Sequence, residues 1–438
     1  YQPHKSQIKF SILHSSCYLL SSDLQGYRQV ETHMMRVIPA IKIGLLLLFC
    51  FPSISQADFK PKVPLQPKHT WNFEGAGVSF SNEFSGARLN DVVQLGKNLY
   101  SVTIVPENSP INRSPWYAFK VLSREKETIT VQFRLSYPGL VARPKLSLDG
   151  KSWFVLEKEK WKPANAEKNT IAEATLDIGP GPLWIFAHQP VGLKELNEWM
   201  DSKAKKPFVK ESVIGKSQES RPVRQLQIGS GNSPNYVFVI GRQHPPEVTG
   251  SIGLMAFVNA ISSDSVIARQ FRTDFKTVVI PVVNPDGVEH GHWRSTLGGV
   301  DANRDYGPFT QLETRNVRDS LGNIARQPNA RVWLFLDFHS TNEDVFYTQP
   351  DSERTFPPGF TSQWLKGIQD RFPNYSFKRE SNHNENLPTS KAWAFKSFGC
   401  AGITYEFGYS TPFERVEEIA SGAAEEMMKI LINHLKSN

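Results

Sequence analysis

The residues best suited to chemistry begin with His244-Pro-Pro-Glu247, which places an imidazole and a carboxylate three positions apart. Both groups can reach one metal ion from a turn between a strand and a helix. Zinc takes imidazole and carboxylate ligands, and a catalytic zinc site combines three protein ligands with one open position. His339 follows a strongly apolar segment and supplies the third ligand. The sequence therefore predicts one Zn²⁺ ion per chain, bound by His244, Glu247 and His339.

Other interpretations of these residues stay open at this point. A histidine and a glutamate three residues apart often occur by chance, as surface or capping residues. His339 could be an interior histidine that is satisfied by hydrogen bonds. His290, His292 and His383 are alternative ligands, and the first two are interpreted as structural or peripheral. The position of His339 after an apolar strand adds support for the metal site, because a polar group at the interior end of a strand requires a partner.

The elements that must position these groups are four strongly apolar segments, each followed by polar residues. They are Tyr236–Ile240, Val278–Val283, Val332–Leu336 and Ala401–Tyr405. The last of these is followed directly by Glu406, a further carboxylate. Apolar strands that alternate with helical segments indicate a sheet covered on both faces. Ligands of such sheets bind outside the carboxyl ends of the strands, so the polar residues are expected to meet there.

The fold is expected to be α/β, with a mixed central sheet flanked by helices and preceded by an all-β sandwich. Short alternating runs separated by turn residues indicate the sandwich, over residues 58–188. A short helix and a polar stretch follow, and residues 189–222 are interpreted as a connecting segment. Residues 223–438 would form the catalytic domain.

The beginning of the chain has the layout of a secretory signal peptide. Translation is expected to begin at Met34 or Met35, and a basic stretch then precedes the apolar run Ile43–Phe51. Small residues follow, so residues 34–57 are interpreted as a signal peptide and residues 1–33 as a doubtful upstream extension. Because the apolar run is too short to span a bilayer, no stable membrane anchor is expected, and a retained anchor is the alternative. The predicted location is the periplasm.

Composition excludes several classes of protein. Hydrophobic residues make up 39% of the 438 residues and charged residues 21%, as in ordinary soluble domains. Without residues 1–57, which hold five Lys/Arg and two Asp/Glu, the net charge falls from +7 to +4, which is too mild to indicate nucleic acid as a partner. Only Cys400 lies after residue 57, which excludes an internal disulfide framework. The oligomeric state stays open.

Six motifs in the second half of the chain match one known family in order. They are Gly241-Arg-Gln-His-Pro-Pro-Glu247, Asn284-Pro-Asp-Gly287, Trp293-Arg294, Val300-Asp-Ala-Asn-Arg-Asp305, Asp337-Phe-His-Ser340 and Thr404-Tyr-Glu-Phe-Gly408. With them the chain resembles the zinc metallocarboxypeptidases of the carboxypeptidase A type, and more narrowly their cytosolic-carboxypeptidase branch. That branch also carries a β-sandwich before the catalytic domain.

The resemblance implies roles beyond the three zinc ligands. Glu406 would act as the general base and then as the acid, and Arg294 would stabilise the oxyanion. Asn303 and Arg304 would bind the terminal carboxylate of the substrate. Taken singly, each arginine could be a surface residue, and Glu406 could form a structural ion pair.

The resemblance also bears on the terminal residue of the substrate. Lys391 occupies a position that in the pancreatic enzymes faces this side chain, so an acidic terminal residue is expected because of charge pairing. A solvated Lys391 is the alternative, and Lys396 is a rival for the same role. The mobile tyrosine of the pancreatic enzymes has no counterpart, since Asn384 stands at the matching distance before Glu406.

The predicted function is that of a zinc-dependent metallocarboxypeptidase acting on peptide or protein C-termini. Alternatives are a cell-wall carboxypeptidase or amidase acting on muropeptides, an aspartoacylase-type amidohydrolase, and a non-catalytic binding module. The complete pair Asn303-Arg304 argues against the amidohydrolase. The presence of Glu406 with all three ligands argues against a binding module.

Overall fold

The computed structural model describes residues 63–109, 116–135, 141–164 and 171–437. These residues belong to one compact unit, Gln56–Asn438. The predicted signal peptide and the extension before it lie outside the described residues.

The N-terminal part is built from two β-sheets. Their strands β1 to β11, within the described ranges, are Thr70–Phe73, Val78–Ser81, Asp91–Gly96, Leu99–Ile104, Ala118–Ser123, Glu127–Leu135, Lys145–Ser147, Phe154–Val155, Trp161–Lys162, Ile171–Ile178 and Gly181–Phe186. The strand orders are β1-β2-β5-β11-β7-β8 and β3-β4-β6-β10-β9. Aromatic rings of the two sheets meet: the centroids of Phe80 and Tyr100 are 5.1 Å apart, and those of Phe119 and Phe133 5.9 Å. The β-rich region predicted before the catalytic part is therefore confirmed.

The C-terminal part is organised around one mixed sheet. Its strands β12 to β19 are Val209–Lys216, Pro222–Ile228, Asn235–Gly241, Lys276–Ile280, Arg331–Thr341, Val345–Thr348, Lys378–Ser381 and Ala401–Gly408. The order is β12-β13-β15-β14-β16-β19-β17-β18. The central strands β15, β14, β16 and β19 run parallel, whereas β13 and β17 are antiparallel to their neighbours in that group.

Helices cover both faces of this sheet, as predicted. Helices α1 to α8 are Leu193–Ala204, Val248–Ile261, Val266–Asp274, Pro285–Glu289, Leu312–Ala325, Phe360–Arg371, Ser390–Phe398 and Phe413–Ser437. Alternate residues of β14 point to opposite faces. Val237 and Val239 join the core beneath α2 and α8, and Phe238 and Ile240 join the core beneath α5 and α7.

Helix α2 lies very close to the strands beneath it because two of its residues have no side chain. A Cβ atom on Gly250 would lie 2.5 Å from the carbonyl oxygen of His339, and one on Gly253 would lie 2.3 Å from the ring of Phe407. Contacts this short cannot exist, so both positions require glycine at the present spacing.

Two local predictions differ from the structure. The segment interpreted as a polar connection contains β12, the edge strand of the catalytic sheet. An edge strand carries polar residues on its solvent-exposed side, so its sequence resembles that of a polar linker. His339 and Glu406 were expected just beyond strand ends, but β16 and β19 continue past them.

Within the described ranges, no single helix is long and apolar enough to cross a membrane. One pair of helices, α2 and α3, meets those criteria only when taken together, and the two are bent by 90° relative to each other.

Candidate metal centre

The turn between β14 and α2 carries two of the predicted ligands. Arg242 begins it with φ of 50°, and its side chain donates to the carbonyl oxygen of Pro245 at 2.8 Å and to Oγ of Ser251 at 2.9 Å. The arginine therefore binds the turn to the helix that follows. His244 lies within this turn, and Glu247 occupies the N-cap position of α2.

His244, Glu247 and His339 converge as the sequence predicts. Their candidate ligand atoms all lie within 4.8 Å of one another, and no side chain of the three is more than 4% exposed. The two oxygens of Glu247 lie 2.7 Å from Nδ1 of His244 and 2.6 Å from Nδ1 of His339. Burial opposes ionisation of Glu247, but the two imidazoles hold its pKa well below the ordinary value. The carboxylate is therefore charged and ready to bind a cation.

A second carboxylate lies behind each histidine. Nε2 of His244 is 2.9 Å from Oδ1 of Asp301, and Nε2 of His339 is 2.8 Å from Oδ2 of Asp337. Despite burial, Asp337 and Glu247 raise the pKa of His339 well above its usual range. Carboxylates in this position fix the tautomer of an imidazole, so that Nδ1 of both rings faces the centre.

The donor set fits zinc. Two imidazoles, each oriented by a carboxylate behind it, and one carboxylate close to both are the protein ligands of a catalytic zinc site. The rival histidines are used elsewhere: Nε2 of His290 lies 2.7 Å from Glu219, and Nδ1 of His292 lies 2.9 Å from the carbonyl oxygen of Ser295. His383 stacks on Tyr347.

Glu406 lies beside the cluster because of strand register. It pairs with His339 across the parallel strands β16 and β19, so both side chains project from the same face of the sheet. Burial, together with the charge of Glu247, raises the pKa of Glu406 to about 7, although the histidines and Arg294 act in the opposite direction. A carboxyl group with this pKa can accept and return a proton near neutral pH.

Arg294 reaches the same region from the long segment that follows α4. Its Nε donates to Oδ2 of Asp301 at 2.6 Å, while the other oxygen of Asp301 contacts His244. One carboxylate thus bridges a predicted metal ligand and the predicted oxyanion-stabilising arginine.

The short 3₁₀ turn Ala302–Arg304 carries the two residues predicted to bind a terminal carboxylate. Oδ1 of Asn303 accepts from the backbone amide of Ser390 at 2.9 Å, and its Nδ2 lies 3.4 Å from Nε2 of His339. Nη1 of Arg304 donates to the carbonyl oxygen of Asn303 at 2.8 Å. Burial and the neighbouring Arg294 lower the pKa of Arg304, whereas the charges of Asp301 and Glu406 act in the opposite direction.

Lys391 is buried, which contradicts the alternative of a solvated lysine. It lies in the first turn of α7 with 4% of its surface exposed. Burial lowers its pKa, Glu385 offsets this effect in part, and Arg304 adds to it. Lys396, the rival, is exposed in the last turn of the same helix.

Sequence reasoning missed the roles of Asp301 and Asp337, although both lie within motifs that it singled out. Asp337 is the second residue before His339 on β16, so the two share a face of the strand. That period of two is the signal that could have revealed it. Gln243 donates to Asp337 at 2.5 Å, and Ser390 also bonds to it.

Comparison with known proteins gives the class of the chain. The sequence model of the family described as zinc carboxypeptidase matches residues 196–426, which is more than half of the chain. The chain belongs to the zinc carboxypeptidase family. The matched residues include every side chain of the site described above.

The chain is also similar to particular proteins and solved structures. The chain is 27% identical over 351 residues to cytosolic carboxypeptidase 2 of Danio rerio, covering 69% of this chain and 47% of that protein. It therefore spans about half the length of this curated relative. Among solved structures, a metallo-carboxypeptidase from Burkholderia cenocepacia superposes with a TM-score of 0.66 at 17% identity, covering 82% of this chain and 99% of the other. A metallo-carboxypeptidase from Pseudomonas aeruginosa superposes with a TM-score of 0.67 at 15% identity, covering 80% of this chain and 98% of the other. These similarities establish the fold.

Proposed function

We propose that the protein is a zinc-dependent carboxypeptidase that hydrolyses the C-terminal peptide bond of peptides or proteins. The observation that carries the proposal is the buried cluster of His244, Glu247 and His339 with Glu406 in register beside it. Zinc bound by the three ligands would supply Lewis acidity toward the scissile carbonyl and the attacking water.

The remaining side chains have complementary roles in this mechanism. Glu406 accepts the proton of the attacking water and returns it to the leaving amine. The guanidinium of Arg294 stabilises negative charge that develops on the carbonyl oxygen. Arg304 binds the terminal carboxylate in a bidentate fashion together with the Nδ2 group of Asn303, and thereby selects the chain end.

Substitution of the base tests the mechanism. Glu406→Gln is expected to bind zinc at wild-type stoichiometry while kcat falls about 10²- to 10⁴-fold, because proton transfer is lost and the ligands are kept. Peptide hydrolysis and metal content are measured on the same preparations, with a chelator-treated wild type for comparison. Full turnover by the variant would exclude this role for Glu406.

The proposed preference for an acidic terminal residue rests on Lys391 and Arg304. Both cations are at least partly buried, and the charge of Arg304 acts both on Lys391 and on Glu406. The acidic groups Glu385 and Asp301 offset the two cations only in part. A carboxylate on the terminal side chain would neutralise this charge at close range.

Peptides that end in Glu, Gln, Leu and Lys distinguish charge from shape at this position. We expect kcat/KM to be highest for the peptide that ends in Glu. In Lys391→Met, kcat/KM for the Glu peptide divided by kcat/KM for the Gln peptide should fall by at least about tenfold. Lys396→Met is the matched control on the same helix and should leave the ratio unchanged. Equal rates for all four peptides, or a preference for Lys, would refute the proposed specificity. Muropeptides with acidic ends form a further arm that tests the cell-wall alternative.

Export is also a proposal, supported by the signal-peptide layout of residues 34–57. N-terminal sequencing of the protein recovered from the periplasm should begin at Asp58. Recovery of an uncleaved chain in the cytoplasm would contradict it.

A further inference from the structure

A carboxylate from the β-sandwich reaches the segment that carries Arg294. Glu107 follows β4, and only 3% of its surface is exposed. Its Oε2 accepts from the backbone amide of Trp293 at 2.7 Å, and its Oε1 accepts from those of Arg294 at 3.0 Å and Ser295 at 2.6 Å. One side chain outside the catalytic sheet therefore binds three consecutive amides around a predicted active-site residue.

The chemistry of the contact favours an ionised carboxylate. Consecutive backbone N–H groups form a concave site with positive potential, which favours an anion. Burial alone would raise the pKa of Glu107, but His292, the amides of Ser295 and Trp293, and Arg88 together lower it below the ordinary value. Hydrogen bonds from neutral amides to a charged acceptor are stronger than those between neutral partners.

Further contacts from the N-terminal part bind the same segment downstream. Nδ2 of Asn108 donates to the carbonyl oxygen of Gly299 at 2.7 Å, and the backbone N–H of Val63 donates to the carbonyl oxygen of Leu297 at 3.3 Å. The guanidinium of Arg294 is fixed separately, by Asp301. The backbone of Arg294 thus depends on the sandwich, whereas its side-chain head depends on the metal centre.

We propose that Glu107 is a positioning residue for catalysis: it holds the backbone of Arg294 so that the guanidinium faces the developing oxyanion. This inference rests on the proposed function. It also gives the β-sandwich a role, namely completion of the active site from outside the catalytic sheet.

Glu107→Gln tests the proposal with the smallest change of shape. The amide keeps one acceptor oxygen, and its NH₂ group cannot accept from a backbone N–H. We expect kcat to fall at least about tenfold, KM to change less than about twofold, and zinc content to stay at the wild-type level. The misplaced guanidinium of Arg294 would no longer stabilise the transition state, whereas it contributes little to binding of the ground state. Unchanged kcat would overturn the proposal.

Ser85→Ala is the matched control. Ser85 of the N-terminal part donates to Glu289 of α4 at 2.7 Å, so this variant removes another hydrogen bond between the same two parts without touching the Arg294 segment. Its kcat should equal that of the wild type. An equal fall in both variants would mean that the interface matters only as a whole, and would overturn the specific role of Glu107.

A double-mutant cycle separates positioning from general support. If Glu107 acts through Arg294, the change Glu107→Gln should have little further effect on kcat in an Arg294→Ala background. Independent effects that multiply would overturn the proposal.

Hydrogen exchange of the wild-type protein provides a measurement that does not depend on the folding of a variant. The amides of Trp293, Arg294 and Ser295 should exchange slowly, since each donates to a buried carboxylate. Rapid exchange at all three would overturn the inference. Lack of peptidase activity in the wild type would instead refute the proposed function, and the exchange data would still report on the contact itself.

Discussion

Each histidine of the metal centre lies between two carboxylates, Glu247 in front and an aspartate behind. Asp301 contacts one imidazole and Asp337 the other, both through Nε2. This arrangement makes the imidazoles more basic metal ligands and fixes the orientation of their rings. The aspartates are therefore as much a part of the centre as the ligands.

Asp337→Asn should weaken zinc binding about 10- to 100-fold, because an amide orients the imidazole of His339 less strongly than a carboxylate does. Competition with a chromogenic chelator measures the change. Asp351→Asn, which alters an exposed carboxylate, is the control. Equal affinities of the Asp337 variant and the wild type would show that the second carboxylate is dispensable.

The three candidate ligands and Glu406 are predicted from the sequence, whereas the supporting carboxylates are missed. His244, Glu247, His339 and Glu406 stand in recognisable motifs next to apolar strands. The period of two within β16 could have indicated Asp337, whereas the contact of Asp301 with His244 depends on the conformation of an irregular segment, which spacing does not give.

At the scale of elements, the central parallel strands were predictable and the edges were not. The strands β14, β16 and β19 are buried on both faces, so each contains a run of apolar residues that precedes the polar residues of the site. By contrast, β12 alternates between exposed and half-buried residues and contains charged side chains. A polar edge strand and a polar linker have the same composition.

Helix α5 contains a buried acid whose titration should be visible in the stability of the protein. Burial raises the pKa of Glu313 to about 7, and Asp286 adds to this rise. The folded chain then binds this proton more tightly than the unfolded chain does. The contribution of Glu313 to the free energy of unfolding therefore falls as the pH rises from about 4.5 to about 7.

Glu313→Gln should remove this dependence. Relative to the wild type, the variant is expected to gain up to about 3 kcal/mol between pH 4.5 and pH 8. Urea unfolding at several pH values, with chelator present for both proteins, measures the difference. A constant difference across this range would show that Glu313 does not titrate as proposed.

At the scale of the whole molecule, the metal centre joins distant segments of the chain. Its ligands come from the turn after β14 and from β16, about ninety residues apart in sequence. A ligand that binds only the folded state stabilises it by mass action.

Removal of zinc should therefore lower the melting temperature. At free zinc about a thousand times its Kd, the folded state gains about 4 kcal/mol over the chelated form. Calorimetry with and without chelator should show this shift for the wild type and for Glu406→Gln. It should be absent for His339→Ala, and its persistence there would mean that zinc binds elsewhere.

The register of His339 with Glu406 implies an order of failure under stress. His339 and Glu406 lie on neighbouring strands of one hydrogen-bonded ladder, whereas Arg294 and Arg304 lie on a long irregular segment bound by side-chain contacts. Segments of the second kind open at lower free energy than central strands. Mild denaturant should thus first produce a protein that still binds zinc but no longer binds the substrate, so that inactivation begins with the loss of substrate binding.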